Sequence, residues 1–264
     1  MSRIGFIGAG NMGGAIIAGM IKCGEFDKND IAVCDKAVSC DIKSMGICEL
    51  ELKECVEASE YIVLAVKPNI LPDVLCEIKE TENYENKTYI SIAAGFKIEN
   101  IEKILGNVKV IRVMPNLCLK AGEGMSVLAP NVNCTGEQNT MAEKIFGSCG
   151  KVCMVKEELI DSCTAINGSG PAYVFMFMEA LADAAVKHGI DRNTAYLLAG
   201  QTVLGSAKLM LETGEHPGKL KDMVCSPGGT TIEACAALEE NAFRAAVISA
   251  VDACAKKAED MSKK

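Results

Sequence analysis

Tryptophan is absent from the 264 residues, and histidine occurs only twice, at His188 and His216. Aromatic residues make up 5% of the chain, so its core must be aliphatic, with Met and Cys filling in. The hydrophobic content of 49% supports a sizeable core. The shortage of histidine argues against a Ser–His or Cys–His hydrolase. Positive charge is short too: 27 Lys and Arg against 35 Asp and Glu leave a net charge of −8. A nucleic-acid surface needs a basic footprint, so no nucleic acid is expected as a partner. The fourteen cysteines include no C-x-x-C pair. Cys149 and Cys153 are four apart, but no histidine lies near to complete a zinc set, and no metal is expected. Most of the cysteines are expected to be small buried hydrophobes in a reducing cytoplasm, not a disulfide framework.

Residues 4–21 carry no charge and follow Arg3, as a signal peptide or membrane span would. They include six glycines and Asn11, which is poor lipid-spanning material. A soluble start and no membrane are expected.

What this stretch does contain is a turn. Ile4, Phe6 and Ile7 read as a buried strand, and Gly8, Gly10 and Gly13 then fall at G-x-G-x-x-G spacing before the apolar helical run AIIAGMI. The first glycine allows a tight turn, the second a close backbone approach to a pyrophosphate, and the third close packing of helix on strand. Ala9, Asn11 and Met12 complete the turn, whose helix N–H groups would face the phosphates. Asp35 closes the run IAVC, 27 residues after Gly8, where a carboxylate accepts hydrogen bonds from an adenosine ribose.

Strands and helices alternate from residue 3 to about 155. YIVLAVKP (61–68), KTYISIAAGF (87–96), KVIRVMPN (109–116), GMSVLAP (124–130) and KVCMV (151–155) read as strands. This is the pattern of an α/β, doubly wound sheet of Rossmann type, whose ligands lie outside the carboxyl ends of the strands. Those ends supply Ala65, Val66, Lys67 and Pro68, then Ala93, Ala94 and Gly95, then Met114 to Asn116. Small residues at 93–95 let a flat cofactor lie close, and Lys67 is placed to reach ribose, phosphate or substrate.

Near residue 158 long helical runs replace this pattern, dividing the chain into 1–157 and 158–264. The helix beginning in GSGPAY is apolar nearly all round until Asp183, as a buried helix between subunits would be. Ser169 and Gly170 are expected at its capping position with Pro171 in the first turn. Thr230 or Thr231 is expected to cap a second helix, Thr230 and Glu233 having capping-box spacing. Ser226, Gly228 and Gly229 precede it. The two loops, 168–171 and 226–231, each offer bare N–H groups to a carboxylate.

GFIGAGNMG, AVKP, RVMPN, NGSGPAY and above all HPGKLKDMVCSPGGTTIEA with its following LE resemble pyrroline-5-carboxylate reductase, in order over nearly the whole chain. The SPGGTTIEA segment is the specific part. The resemblance implies reduction of 1-pyrroline-5-carboxylate, a cyclic imino acid, to L-proline. It also implies a Rossmann domain followed by an all-helical C-terminal dimerisation domain, and homodimers that assemble further, up to decamers. By the same resemblance Gly8 to Gly13 bind the pyrophosphate, and Ala65–Pro68 and Ala93–Gly95 line the cofactor. Thr230 and Thr231, with the Gly228–Gly229 backbone, hold the substrate carboxylate and ring nitrogen. The family's usual asparagine ahead of the AVKP strand is replaced by Leu52, which puts any cofactor contact from that place in doubt.

No histidine or carboxylate lies in the candidate loops. Thr231 is therefore expected to hydrogen-bond the imine nitrogen as the catalytic hydroxyl. Asp35 favours NADH and repels a 2′-phosphate, whereas Lys36 beside it admits NADPH, so use of both cofactors is expected. Two other classes remain open: another Rossmann-plus-helical imine or 3-hydroxy acid reductase, and a non-catalytic dinucleotide-binding regulatory protein. The hydroxy acid enzymes need a lysine in the helical half, and neither loop holds one.

Overall fold

A computed structural model describes residues 3–262. Eight strands form one sheet: β1 (Ile4–Ile7), β2 (Ile31–Cys34), β3 (Cys48–Glu49), β4 (Tyr61–Leu64), β5 (Thr88–Ser91), β6 (Lys109–Met114), β7 (Gly124–Pro130) and β8 (Gly150–Met154). Their order is β3-β2-β1-β4-β5-β6-β7-β8. β1 to β6 pair in parallel, β7 runs antiparallel to β6, and β8 is parallel to β7. The chain order reverses between β1 and β4, and the crevice at that switch is where such sheets take a dinucleotide. The sheet is connected by α1 (Asn11–Lys22), α2 (Cys40–Ser44), α3 (Leu52–Glu57), α4 (Leu71–Lys79), α5 (Ile98–Leu105) and α6 (Gly136–Gly147).

Both faces are covered because both faces are apolar. Phe6, Val33 and Tyr61 pack with Ile16, Met20 and Phe146 in one cluster. Their neighbours Ile7, Ile62 and Leu64 pack with Leu71, Ile78 and Ile101 in another. Successive strand residues thus point to opposite faces. Each such side chain, buried fully, contributes ~1.5–3 kcal/mol.

Two strands stop earlier than their apolar runs. β4 ends at Leu64 and β5 at Ser91, so AVKP and IAAGF lie beyond the ladder. The Ala65 N–H still donates to the Ile7 carbonyl at 2.8 Å, after which the Lys67 carbonyl accepts from Ile70 and Leu71 and turns the chain into α4. The site-facing residues are therefore loop, released from the sheet.

Beyond β8 come α7 (Ile160–Cys163), a π-helical turn (Thr164–Gly168), α8 (Gly170–Lys187), α9 (Arg192–Thr213), α10 (Pro217–Val224), α11 (Thr230–Glu240) and α12 (Phe243–Ser262). Asp191 caps α9 by accepting from the N–H groups of Asn193 and Thr194, both at 3.1 Å. Left-handed Gly214 ends α9.

The chain forms two compact units: residues to Ser169 together with those from Cys254, and Gly170–Ala253. The change of periodicity near 158 therefore precedes the start of the second unit. Ile160 packs on Val127 and Ala129 of the sheet, and the Asn167 amide donates to the carbonyls of Met114 and Met125, so these helical residues belong to the first unit. The second unit buries Ala182, Ala195 and Ala199 where α8 meets α9, and little else. α8, read from its sequence as buried all round, is exposed along much of its apolar surface within this chain, with Phe175 54% and Met176 69% exposed.

Candidate functional site

The turn after β1 carries three different demands on glycine. Gly8 has φ +100°, and a Cβ there would lie 2.8 Å from the Ala65 carbonyl. A Cβ on Gly13 would run into the Gly8 carbonyl oxygen. Gly10 is different: a Cβ would meet nothing within 4 Å. Gly10 is exposed, is the N-cap of α1, and has no side chain capping the helix start. The first turn of α1 also holds no acidic residue. An open backbone cradle in front of uncapped N–H groups suits an anionic pyrophosphate. Asn11 and half-buried Met12 continue from it. A cavity of about 900 Å³ is lined by Ala9, Gly10 and Asn11 together with Ala37, Ser39 and Lys120.

The Asp35 carboxylate accepts from the Ala9 N–H at 2.6 Å and from the Ala37 N–H at 2.9 Å. It therefore ties the end of β2 to the glycine turn and sets the turn's orientation. Each oxygen keeps a further lone pair for a ribose hydroxyl. Lys36 is exposed beside it. At the other strand ends Ala65 and Val66 are half-buried, Lys67 and Pro68 exposed, Ala93 buried and Ala94 exposed. Gly95, at φ +74°, lies against Met261 of α12. Leu52 is a core residue at the start of α3, packed with Cys55 and Ile62, and presents no polar group.

A residue that motif reading passed over organises the end of β6. Arg112 is buried and pairs with Asp161 at 2.9 Å and Glu157 at 3.3 Å. Glu157 also accepts from the Ile98 N–H at 2.8 Å. Three segments are thereby fixed around the strand that leads to Met114. The available signal was a single cation inside the apolar run KVIRVM.

The 168–171 segment is not an open helix start. The Ser169 N–H donates to the Thr164 carbonyl five residues back, at 2.9 Å, and α8 follows directly from the π-turn. The Ser169 hydroxyl accepts from the Cys254 thiol at 3.1 Å. Ser169 and Gly170 therefore lie inside a helical run, and the Ser169 N–H is already bonded within it. Pro171 lacks the N–H that an unbroken α-helix would need, so it needs no partner at the bulge.

The 226–231 segment is open. Gly228 has φ +66°, and the Gly229 N–H donates to the Ser226 carbonyl at 3.0 Å. A Cβ on Gly229 would strike the Ser226 hydroxyl. Gly229, not a threonine, is the N-cap of α11, and no side chain caps the helix. Thr230 is the first helical residue, one place past the N-cap, and so forms no capping box with Glu233. Thr231 is half-buried. Uncapped N–H groups beside two hydroxyls are a chemistry that suits a carboxylate.

The expectation of mostly buried cysteines fails. Only Cys55 and Cys149 are buried, and Cys23, Cys40, Cys48 and Cys76 are exposed. Many of them sit at helix ends and loops, where a small side chain is not drawn into the core. Burial pushes the Cys55 thiol up to about 12, leaving it inert. Among the described residues no three His, Cys, Asp or Glu side chains group as a metal site, and no helix is long and apolar enough to cross a membrane.

Residues 157–261 match the family described as pyrroline-5-carboxylate reductase dimerisation, and residues 3–95 match NADP oxidoreductase coenzyme F420-dependent. The chain is 46% identical to pyrroline-5-carboxylate reductase of Escherichia coli strain K12, over 99% of this chain and 98% of the relative. The structure resembles that of a pyrroline-5-carboxylate reductase from Coxiella burnetii with a TM-score of 0.93 and 36% identity, covering 100% of this chain and 99% of the other. It also resembles the Plasmodium falciparum pyrroline carboxylate reductase with NADP bound, at a TM-score of 0.88 and 34% identity, over 99% and 98% of the two chains.

Proposed function

The chain belongs to the pyrroline-5-carboxylate reductase family, and we propose that it reduces 1-pyrroline-5-carboxylate to L-proline with NADPH or NADH, the last step of proline synthesis. The observation that carries this reading is a helix start with glycine at its N-cap and no side-chain cap in each unit, at Gly10 and at Gly229, in a chain alike throughout to its relatives. Bound NAD(P)H supplies the hydride.

Gly8 to Gly13 hold the pyrophosphate on the N–H groups of α1. Asp35 holds the turn and accepts from a ribose hydroxyl, and Lys36 offsets the charge that a 2′-phosphate would meet. Ala65–Pro68 and Ala93–Gly95 line the cofactor. The substrate carboxylate rests on the N–H groups from Gly228 to Thr231, with Ser226 beside them. Thr231 donates its hydroxyl to the ring nitrogen and orients the imine. A protonated imine is already electrophilic, so a neutral hydroxyl suffices where no histidine or carboxylate is at hand.

The chain forms homo-oligomers through the helical unit, with the dimer as the building block and larger assemblies up to a decamer built from it. Fourteen free thiols suit a reducing cytoplasm.

The test is turnover of pyrroline-5-carboxylate with each cofactor. Proline formation with either supports the reading. No turnover with both, or preferred reduction of an open-chain imine or a 3-oxo acid, overturns it.

A further inference from the structure

The loop that opens α11 is flanked by a pair of thiols. Cys225 stands immediately before Ser226, and Cys235 lies on α11 itself, with their sulfurs 3.9 Å apart. Both are half-buried free thiols. Among the described residues the other cysteine hydrogen bonds go to backbone carbonyls, to the Ser148 and Ser169 hydroxyls and to the Asn131 amide oxygen, so this thiol–thiol pairing is distinct from them. Neither residue has a part in the proposed chemistry.

We infer that Cys225 and Cys235 form a dithiol site that oxidises reversibly to a disulfide and, in doing so, locks the substrate-binding loop. A disulfide needs the sulfurs at about 2.05 Å, so they must close by about 2 Å. The mobile partner is Cys225. It lies beyond the end of α10 in extended conformation, and Gly228 at φ +66° gives the intervening loop a pivot. Cys235 is held within a helix. Closing the bond therefore draws residues 225–229 toward α11 and displaces the N–H groups of Gly228 and Gly229. Each thiol loses a proton and the pair gives up two electrons. An external disulfide, such as oxidised glutathione, accepts them and leaves as two thiols after a mixed-disulfide intermediate. Partial burial and the neighbouring Cys235 thiol raise the pKa of Cys225 above its ordinary value. Oxidation is accordingly slow at neutral pH and faster as pH rises.

The claim about the loop rests on the substrate site proposed above; the claim about the bond does not. Both cysteines fall in one tryptic peptide, residues 222–244. The intact protein is treated with oxidised glutathione at neutral and alkaline pH, alkylated, digested and weighed. The expected peptide is lighter by two hydrogens and takes no alkyl group, and dithiothreitol restores both alkylation sites. A peptide that still takes two alkyl groups, or carries only glutathione, overturns the site. In the same samples kcat/KM for pyrroline-5-carboxylate is expected to fall on the order of 100-fold, with NADPH affinity by fluorescence unchanged. Cys235→Ala and Cys235→Ser should abolish this response while the reduced enzymes work as before. A linked peptide with unchanged kinetics overturns the lock. An inactive reduced enzyme whose peptide still links would instead sink the proposed function and leave the thiol site standing.

Discussion

The two units of this chain solve the burial problem differently. The sheet-bearing unit closes on itself: one apolar cluster lies on each face of the sheet, and Phe6, Tyr61 and Tyr89 are no more than 1% exposed. The helical unit closes around three alanines and leaves Leu197, Leu211 and Met223 at least 70% exposed. Monomeric proteins rarely show so much apolar surface. The first unit is finished by its own sequence. The second is half of an interface, in keeping with a dimerisation family whose match covers it. The glycine turn thus belongs to an internally complete fold, whereas the 226–231 loop sits in the unit that carries the exposed apolar surface.

The comparison breaks most readily at its apolar face. Phe175→Glu with Met176→Glu should weaken self-association about 1000-fold. Sedimentation velocity reads this, and an unchanged oligomer would mean that α8 is not at the interface. Next is the first unit's own clamp. Arg112→Met leaves two partly buried carboxylates without their cation and should cost about 3 kcal/mol. Urea unfolding at two protein concentrations should give the same loss at each, unlike the charged helical variant. Thr231→Ala should then lower kcat/KM about 100-fold. Its NADPH affinity should stay as in the parent, so equal losses in both would place Thr231 in the fold and not in the chemistry.

Smaller effects sharpen the contrast. Asp35→Ser removes a charge beside the ribose and should move the kcat/KM ratio toward NADPH about tenfold. If NADH is not used at all by the parent, the ribose role of Asp35 falls and its bond to Ala9 is its whole duty. The least effect is at the cap of α9. Thr194, through its hydroxyl and its N–H, and the Asn193 N–H hold the Asp191 carboxyl below its ordinary range. The stabilisation is present above the unfolded pKa, roughly 3.9, and is lost as pH falls through the lower folded value. Asp191→Ala should therefore lower Tm at neutral pH, with the deficit closing as pH falls through the lowered folded-state value.

The glycine turn was legible because its spacing, its flanking strand and helix, and Asp35 all express one local geometry. The π-turn at 164–168 was not. In sequence GSGP reads as a helix start, since proline fits a first turn, but the amide of Asn167 bonds two strand carbonyls far away in sequence and holds the chain in a continuous run. The cap of α11 misled for a smaller reason: two threonines invite the assignment, yet the N-cap falls one residue earlier, at extended Gly229, and the helix begins at Thr230. Arg112 was hidden because its partners, Glu157 and Asp161, lie 45 and 49 residues away.

By itself the sequence determined the alternation of strand and helix, the dinucleotide turn, the helical second half and the segment 226–231, all of which depend on neighbours along the chain. Only the tertiary structure decided which helix starts are open, which carboxylate holds the turn and which cysteines face each other. Those depend on hydrogen bonds and contacts between residues far apart in sequence. At Gly10, no side chain fills the space in front of the first helix, and that absence is a property of the folded surroundings that no local pattern states.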